Sequence, residues 1–448
     1  MKPDESPPPS AWLDPASPRL FVHVAALLAV SVVTAAFGVV FRAAASFVFR
    51  HVFDATDIVS AFEKLSPWVR APTVLTGGLL AGLIGVLAAR RQGGQGVGGV
   101  MEAVALGTGR ISLRSSLWKA LGCWVAVVTG SSVGREGPII QFGGAIAETV
   151  GSIGRMAPER KRILIAAGTA AGFAAAYNTP LAAVLFVLEI VVGVITLDVV
   201  LATVFATAIA TAITRLAVGG GPIYGARTFV LGADFELLFH LALGAVAGVV
   251  GASFSALLSG VERGFAKLPL KQPFTAAGGA ALVGGLAMLL PGVTGNGYEI
   301  INRVLDGGLA VKVMLVLLVA KMLATSLSVG SGAPGGAFTP SLFLGAALGG
   351  VFGDLLSRSH ANAQGAYALV GMAAVCAATT HAPLMAAVLV FELSGDYSIV
   401  LPLLVATGAA TLVSRRIRRS SIYMDELARR GIGWRMTWSG REVSRDPS

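Results

Sequence analysis

Twice, about 200 residues apart, an almost unbroken apolar sequence stops at a cluster of small residues and starts again. The first copy reads GSSVGREGP over 130–138 and GTAAGFAAAYNTPLAAVLFVLE over 168–189. The second reads GSGAPGGAFTP over 330–340 and GMAAVCAATTHAPLMAAVLVFE over 371–392. Gly168, Pro180, Leu181 and Glu189 lie 203 positions before Gly371, Pro383, Leu384 and Glu392, and Gly134 and Pro138 lie 202 positions before Gly336 and Pro340. Duplicated apolar segments broken by Gly and Pro are the arrangement that builds an ion site at mid-membrane depth.

Composition supports a membrane reading. The 448 residues are 55% apolar and 13% charged, with a mean hydropathy of +0.77, whereas a soluble domain carries about twice that charge. Apolar runs at 20–39, 72–88, 192–214, 237–258, 276–290, 311–327, 341–352, 366–393 and 399–413 approach or exceed the length that crosses a hydrocarbon core. Some of them merge helices, so roughly fifteen or more helical pieces are expected, not all of them spanning. The fold class is therefore all-α and polytopic. An odd number of crossings per copy would invert one copy against the other and an even number would leave them parallel; periodicity does not choose.

The net charge of +10 does not call for nucleic acid. The basic clusters Arg90–Arg91, Arg160–Lys161–Arg162, Arg415–Arg416 and Arg418–Arg419 sit beside apolar segments, as cytoplasmic flanks do. They lack the interleaved aromatics of a strand-binding groove. Cys123 and Cys376 lie in apolar stretches and read as buried small hydrophobes. The histidines His23, His51, His240, His360 and His381 have no metal-ligand spacing. With no HExxH or Cys/His set, neither an enzyme nor a metal or other cofactor is expected. His381 matches Asn178 across the repeat, which favours a polar helix-start role.

Residues 1–18, with six prolines and three acidic residues, read as an unstructured lead-in without the features of a signal peptide. The transport body runs from 19 to 414, in halves of approximately 19–215 and 216–414, followed by a basic tail over 415–448 that is too short for a further domain.

Glu136 is the sharpest residue. It sits in Gly134–Arg135–Glu136–Gly137–Pro138, just before the apolar run from Ile139. Proline suits a helix start, and the free N–H groups of such a start favour an anion. A carboxylate placed there can occupy the anion's own seat and vacate it when protonated. The plainer reading is a helix cap. Arg135 reads as a loop anchor or a vestibule residue. The repeat puts Phe338 opposite Glu136, and the amides of Ala337 and Phe338 could complete an anion cradle; a core aromatic is the alternative. The segment 93–100, GGQGVGGV, could add further amides and the Gln95 side chain, though a flexible glycine loop would look similar. Tyr423 has a hydroxyl able to donate to a halide, and an interfacial belt tyrosine is its ordinary explanation. Glu189 reads as a helix-end or inter-helix hydrogen-bonding group, with a relay role open to any intramembrane carboxylate.

In these motifs the chain resembles the CLC family of chloride channels and chloride/proton antiporters, over essentially all of 19–424. GREGP at 134–138 and GGAFTP at 335–340 match its two central signatures, GQGVGGV at 94–100 matches its earlier glycine signature imperfectly, and SIYMDEL at 421–427 matches the segment with its terminal pore tyrosine. The resemblance implies an inverted-topology internal repeat and a homodimer with one anion pathway per subunit, in a bacterial-type inner membrane among lipids. It makes Glu136 the external gate, puts Phe338 and Tyr423 on the bound anion, and adds Gln95, Gly96, Val97, Arg135, Gly137 and Ala337 as pathway candidates.

The chain departs from the family at three places. Gln95 stands where Ser or His is usual, and the loop continues Gly96–Val97–Gly98–Gly99 without the usual proline and glutamate. Methionine, common there in fluoride-selective relatives, is also missing, which favours chloride. Ile190 stands where proton-coupled members commonly carry a second glutamate. The expected function is accordingly chloride transport through a glutamate-gated pore with channel-like passive flow; chloride/proton antiport is the alternative, and a non-transporting membrane scaffold is the alternative of another class. Thirdly, the paired cystathionine-synthase-like regulatory domains of many relatives are not expected, nor is adenine-nucleotide control through them.

Overall fold

A computed structural model describes residues 20–89, 96–106, 111–225, 236–356, 363–428, 433–437 and 440–444. Gln95, His360 and the lead-in over 1–18 lie outside the described residues. The first half contains α1 (Leu20–Val52), α2 (Ile58–Lys64), α3 (Pro67–Ala89), α4 (Gly96–Leu106), α5 (Leu113–Val128), α6 (Glu136–Ile153), α7 (Pro158–Tyr177), α8 (Pro180–Phe186) and α9 (Leu197–Val218). The second contains α10 (Glu236–Ala266), α11 (Phe274–Leu289), α12 (Tyr298–Leu305), α13 (Val311–Gly330), α14 (Phe338–Leu356), α15 (Ala363–Thr380), α16 (Pro383–Ser394), α17 (Val400–Ile417) and α18 (Ile422–Ala428). A small antiparallel hairpin of β1 (Gly433–Thr437) and β2 (Gly440–Ser444) adds a feature that the all-α reading of the body does not include.

Among the described residues, seven helical segments are long and apolar enough to cross a membrane. The molecule is a polytopic membrane protein, and helical spans agree with the expected inner membrane. Its outer helices show why the sequence is apolar on nearly every face. Phe21 and Val40 on α1, Leu216 on α9 and Leu412 on α17 are exposed large hydrophobics, a surface suited to lipid. Their other faces pack inward on α7, buried from Leu164 to Tyr177, and on α15, buried from Gln364 to Thr380.

The repeat is visible in the packing. α6 crosses α7 where Gly143 meets Gly168, and α14 crosses α15 where Gly345 meets Gly371. A Cβ at Gly143 would lie 2.1 Å from the Gly168 carbonyl oxygen, and one at Gly345 would lie 2.2 Å from that of Gly371. Only glycine permits such backbone approach. Asn178 and His381 both adopt left-handed backbone, φ 59° in each, and close α7 and α15. The polar role expected at a helix start is thus at the end of the preceding helix, two residues before Pro180 and Pro383 restart it.

Two sets of reciprocal contacts join the halves. A two-residue antiparallel bridge pairs Gly134 with Gly336: Gly134 N–H donates to the Gly336 carbonyl at 2.7 Å, and Gly336 N–H returns the bond at 3.0 Å. Glu189 lies in the π-helical turn Val187–Val192 that continues α8. It accepts from the Met385 and Leu384 amides at 2.7 and 3.4 Å, at the start of α16. Glu392 on α16 accepts from the Leu181 and Ala182 amides at 3.0 and 2.8 Å, at the start of α8. Each contact is matched by its equivalent with the halves exchanged, so the halves are related by a local two-fold axis. That relation places their interrupted helices around one centre.

Candidate functional site

Glu136 and Phe338 are the first residues of α6 and α14, and the glycine bridge brings these two helix starts together. Both side chains are buried. Ser132 reinforces the junction: its amide donates to Ser328 Oγ at 3.1 Å, and its hydroxyl lies 2.9 Å from Thr325 Oγ1 on α13. The Glu136 carboxyl folds back against Gly134, where an added Cβ would sit 2.2 Å from Oε2. A side chain at 134 would push the carboxyl out of this position.

A cavity of about 980 Å³ runs to this point. Its lining brings together Gly96, Val97, Glu136, Gly137, Ala337, Phe338 and Tyr423, seven of the residues singled out from sequence. Helix starts supply unpaired N–H groups and positive dipole ends without a full counter-charge, so the arrangement can hold a dehydrated anion weakly enough to release it. Arg135 is placed differently. It precedes α6 as its half-buried N-cap and is not among the lining residues, which fits a loop anchor.

Two aromatic rings of the lining, Phe338 and Tyr423, share a third ring buried behind them. Phe186 at the end of α8 meets Phe338 edge-on at 6.4 Å and Tyr423 edge-on at 6.3 Å. Tyr423 is buried, so the belt explanation does not describe it. Phe338 also meets Phe173 and Tyr177 of α7, each at 5.7 Å. Phe186 carried no signal in the sequence beyond an apolar helix position; only the fold places it between the two expected rings.

The glycine-rich approach is held by a residue that sequence reasoning missed. Gln141 on α6 accepts the Gly96 amide at 2.9 Å and donates to Ser116 Oγ on α5 at 3.2 Å. The Gly96 amide, counted on for the anion, is thus already engaged. The loop's lost proline has a structural counterpart: a Cβ at Gly98 would lie 2.7 Å from the Glu426 carboxyl carbon on α18. Lys119, buried on α5, also reaches the cavity and supplies a cation that no motif announced. Ile190 is buried in the π-helical turn, and Glu189 serves the helix-end contact described above. Among the described residues, no group of three or more His, Cys, Asp or Glu side chains is placed to hold a metal.

A family model described as "Voltage gated chloride channel" matches residues 77–415. A relative from Ralstonia nicotianae, "Putative chloride channel protein ClcB-like", is 37% identical over 382 residues, covering 83% of this chain and 88% of its own length. "Voltage-gated ClC-type chloride channel ClcB" of Citrobacter koseri is 35% identical over 384 residues, with 84% and 91% covered. Among solved structures, a slow cyanobacterial Cl⁻/H⁺ antiporter superposes with a TM-score of 0.81 at 27% identity, covering 92% of this chain and 98% of that one. A CLC-type fluoride/proton antiporter superposes at 0.68 with 23% identity, over 90% and 97% of the two chains, and shows the shared fold alone.

Proposed function

The chain belongs to the voltage-gated chloride channel family, with that family's all-helical transport fold rather than an enzyme's site, and from that premise we propose that it exchanges chloride for protons across the membrane. The observation that carries the reading is Glu136 itself: a buried carboxyl at the end of the cavity, seated between two helix starts that would otherwise hold an anion. An ionised Glu136 occupies the anion's seat; a protonated Glu136 gives it up, so chloride and proton compete for one place. The likeness to a solved Cl⁻/H⁺ antiporter over nearly the whole of both chains supports exchange over the passive flow expected from sequence.

In this reading Val97, Gly137, Ala337, Phe338 and Tyr423 line the anion path, Gly96 shapes it from the backbone, and Arg135 secures the gate's loop. Gln95 belongs to the inner end of the path by its motif. Glu189 holds the start of α16 and is not a relay. Residues 19–414 form the transport body, two copies associate as a homodimer with one path each, and voltage acts on the pathway through the ions that move in it.

Passive chloride flow is the second reading, and Ile190 favours it. A buried isoleucine cannot carry a proton, so exchange needs a proton route that bypasses it. Proteoliposomes decide between the two. Chloride flux with uphill proton movement, lost when Glu136 is changed to Ala, establishes exchange. Chloride flux without proton movement in either form establishes a channel, and no chloride flux in either form removes chloride as the cargo.

A further inference from the structure

Two hydroxyl groups stand in line behind the Glu136 carboxyl. Thr339 Oγ1 donates to Glu136 Oε1, and Tyr177 Oη lies 2.8 Å from Thr339 Oγ1. All three side chains are buried, with relative exposures of 2%, 2% and 5% for Glu136, Thr339 and Tyr177. Glu136 Oε2 is buried without a hydrogen-bond partner among the described residues. Thr339 is the nearest side-chain donor to this carboxylate, with the Tyr177 hydroxyl and the Glu136 amide also within its reach. Chemistry fixes the direction of the chain. An ionised carboxylate only accepts, and a threonine hydroxyl has one proton to give. With Thr339 committed to Glu136, Tyr177 is the donor of the second bond, and its proton strengthens the first by polarising it.

A donor aimed at an ionised carboxylate stabilises the charged form over the neutral one. Protonating Glu136 removes the charge that makes this bond strong; the neutral carboxyl keeps only an ordinary hydrogen bond to Thr339, and its hold on the seat weakens. We propose that Thr339, backed by Tyr177, is a positioning residue that latches the ionised Glu136 in its seat and sets the pH at which the seat is vacated. The proposal rests on the reading of Glu136 as the gate. It adds the contribution of two residues from different halves of the chain.

Other groups face the same carboxyl. Cys123 on α5, Tyr177 on α7, Tyr224 in the loop after α9, Tyr423 on α18 and Arg135 beside it are within electrostatic reach. Phe338 and Thr339 represent α14. Lys119, Glu102, Glu262 and Glu426 stand farther along the cavity wall. Cysteine and tyrosine ordinarily titrate above about pH 8, outside the range that matters, and the three cavity glutamates need a control.

The test is chloride efflux from proteoliposomes, measured from about pH 4.5 to about pH 8, where carboxyl groups titrate. Variants are Thr339→Val, Thr339→Ser, Tyr177→Phe, Glu136→Ala and the Glu136→Ala/Thr339→Val pair. Losing one charge-assisted hydrogen bond is expected to move the half-activating pH of Thr339→Val upward by about one unit. At the pH one unit above the wild-type midpoint, that shift appears as an efflux rate about fivefold higher. Thr339→Ser keeps the donor and should restore the wild-type midpoint, while Tyr177→Phe should shift it upward by less. Any pH dependence left in Glu136→Ala belongs to other groups, and adding Thr339→Val to it should change nothing. An unshifted midpoint in Thr339→Val overturns the latch, as does a shift that persists without Glu136. If Thr339→Val does not fold, an unshifted Tyr177→Phe has the same meaning. If Glu136→Ala keeps the full wild-type profile, the gate reading fails first and the latch with it.

Discussion

At the scale of single residues, the site is built by side chains whose partners lie far away in sequence. Phe338 touches Phe173, Tyr177 and Phe186, all from the first half of the chain. Such edge-on contacts orient a ring beyond what apolar burial alone would fix. Phe338→Leu keeps most of the side-chain volume and is expected to destabilise the fold by less than about 1.5 kcal/mol. It removes the ring edge that faces the cavity, and we expect chloride flux to fall about tenfold, equivalent to ~1.4 kcal/mol at the barrier. Thermal unfolding in detergent beside flux in liposomes separates the two effects; equal losses in both would make Phe338 a packing residue only. The placement of Glu136 and Phe338 at one site was legible because each sits at a duplicated break. Thr339 and Tyr177 were not, because a threonine after a helix start and a tyrosine before Asn–Thr–Pro carry no pattern. Their meeting spans 162 residues, and only the closed fold shows it. Lys119 and Gln141 were hidden for the same reason, since neither belongs to a motif.

At the scale of elements, the short helices α8 and α16 depend on each other. Neither start has a capping side chain of its own, since Thr179 and Ala382 make no cap hydrogen bond. The carboxylate comes instead from the partner helix, and it meets both the free amides and the positive end of the dipole. Glu189→Gln and Glu392→Gln should each cost about 1 kcal/mol, the ordinary value of a cap. Because the two contacts are related by the local axis, thermal shifts of similar size are expected; a shift confined to one variant would refute the equivalence. The sequence disclosed both glutamates at matched positions. It could not disclose that they serve each other's helices, since a 203-residue offset reports duplication and says nothing of which copy each side chain faces. Lys321 shows a further limit of pattern reading. It interrupts an apolar run on α13, yet its ammonium is buried, donating to the Val293 and Gly295 carbonyls at 2.9 and 2.8 Å and lying 5.2 Å from the Phe343 ring centre. The charge is an internal brace for the turn before α12, where hydropathy alone would count it against a span.

At the scale of the whole molecule, the halves are joined at the centre and also at the periphery, with unequal weight. Arg303 on α12 makes a bidentate pair with Glu63 on α2 at 2.7 and 2.9 Å, both side chains 41% exposed. Glu63 holds the guanidinium above its ordinary value. A raised basic group contributes stability below its unfolded pKa and loses it only as pH rises through the folded one. That window lies above the physiological range, so the arginine side adds no pH dependence there. Solvent screening limits such a pair, and Glu63→Gln is expected to cost less than about 1 kcal/mol. A larger loss in thermal unfolding would show the periphery to be a second structural centre. The architecture was legible at this scale as two related halves around a central site; periodicity is blind to the direction of their relation, and the inverted topology came only from the resemblance of the motifs. The glycine bridge then has a mechanical consequence. Two transporter halves that rock against each other must part or slide at their contact, and here the contact is a closed pair of backbone hydrogen bonds beside the ion seat. Rocking would break it at every cycle. On the proposed reading the moving part is the Glu136 carboxyl, swinging on its own rotatable bonds, so the work of each turnover is that of a latch and not of a hinge.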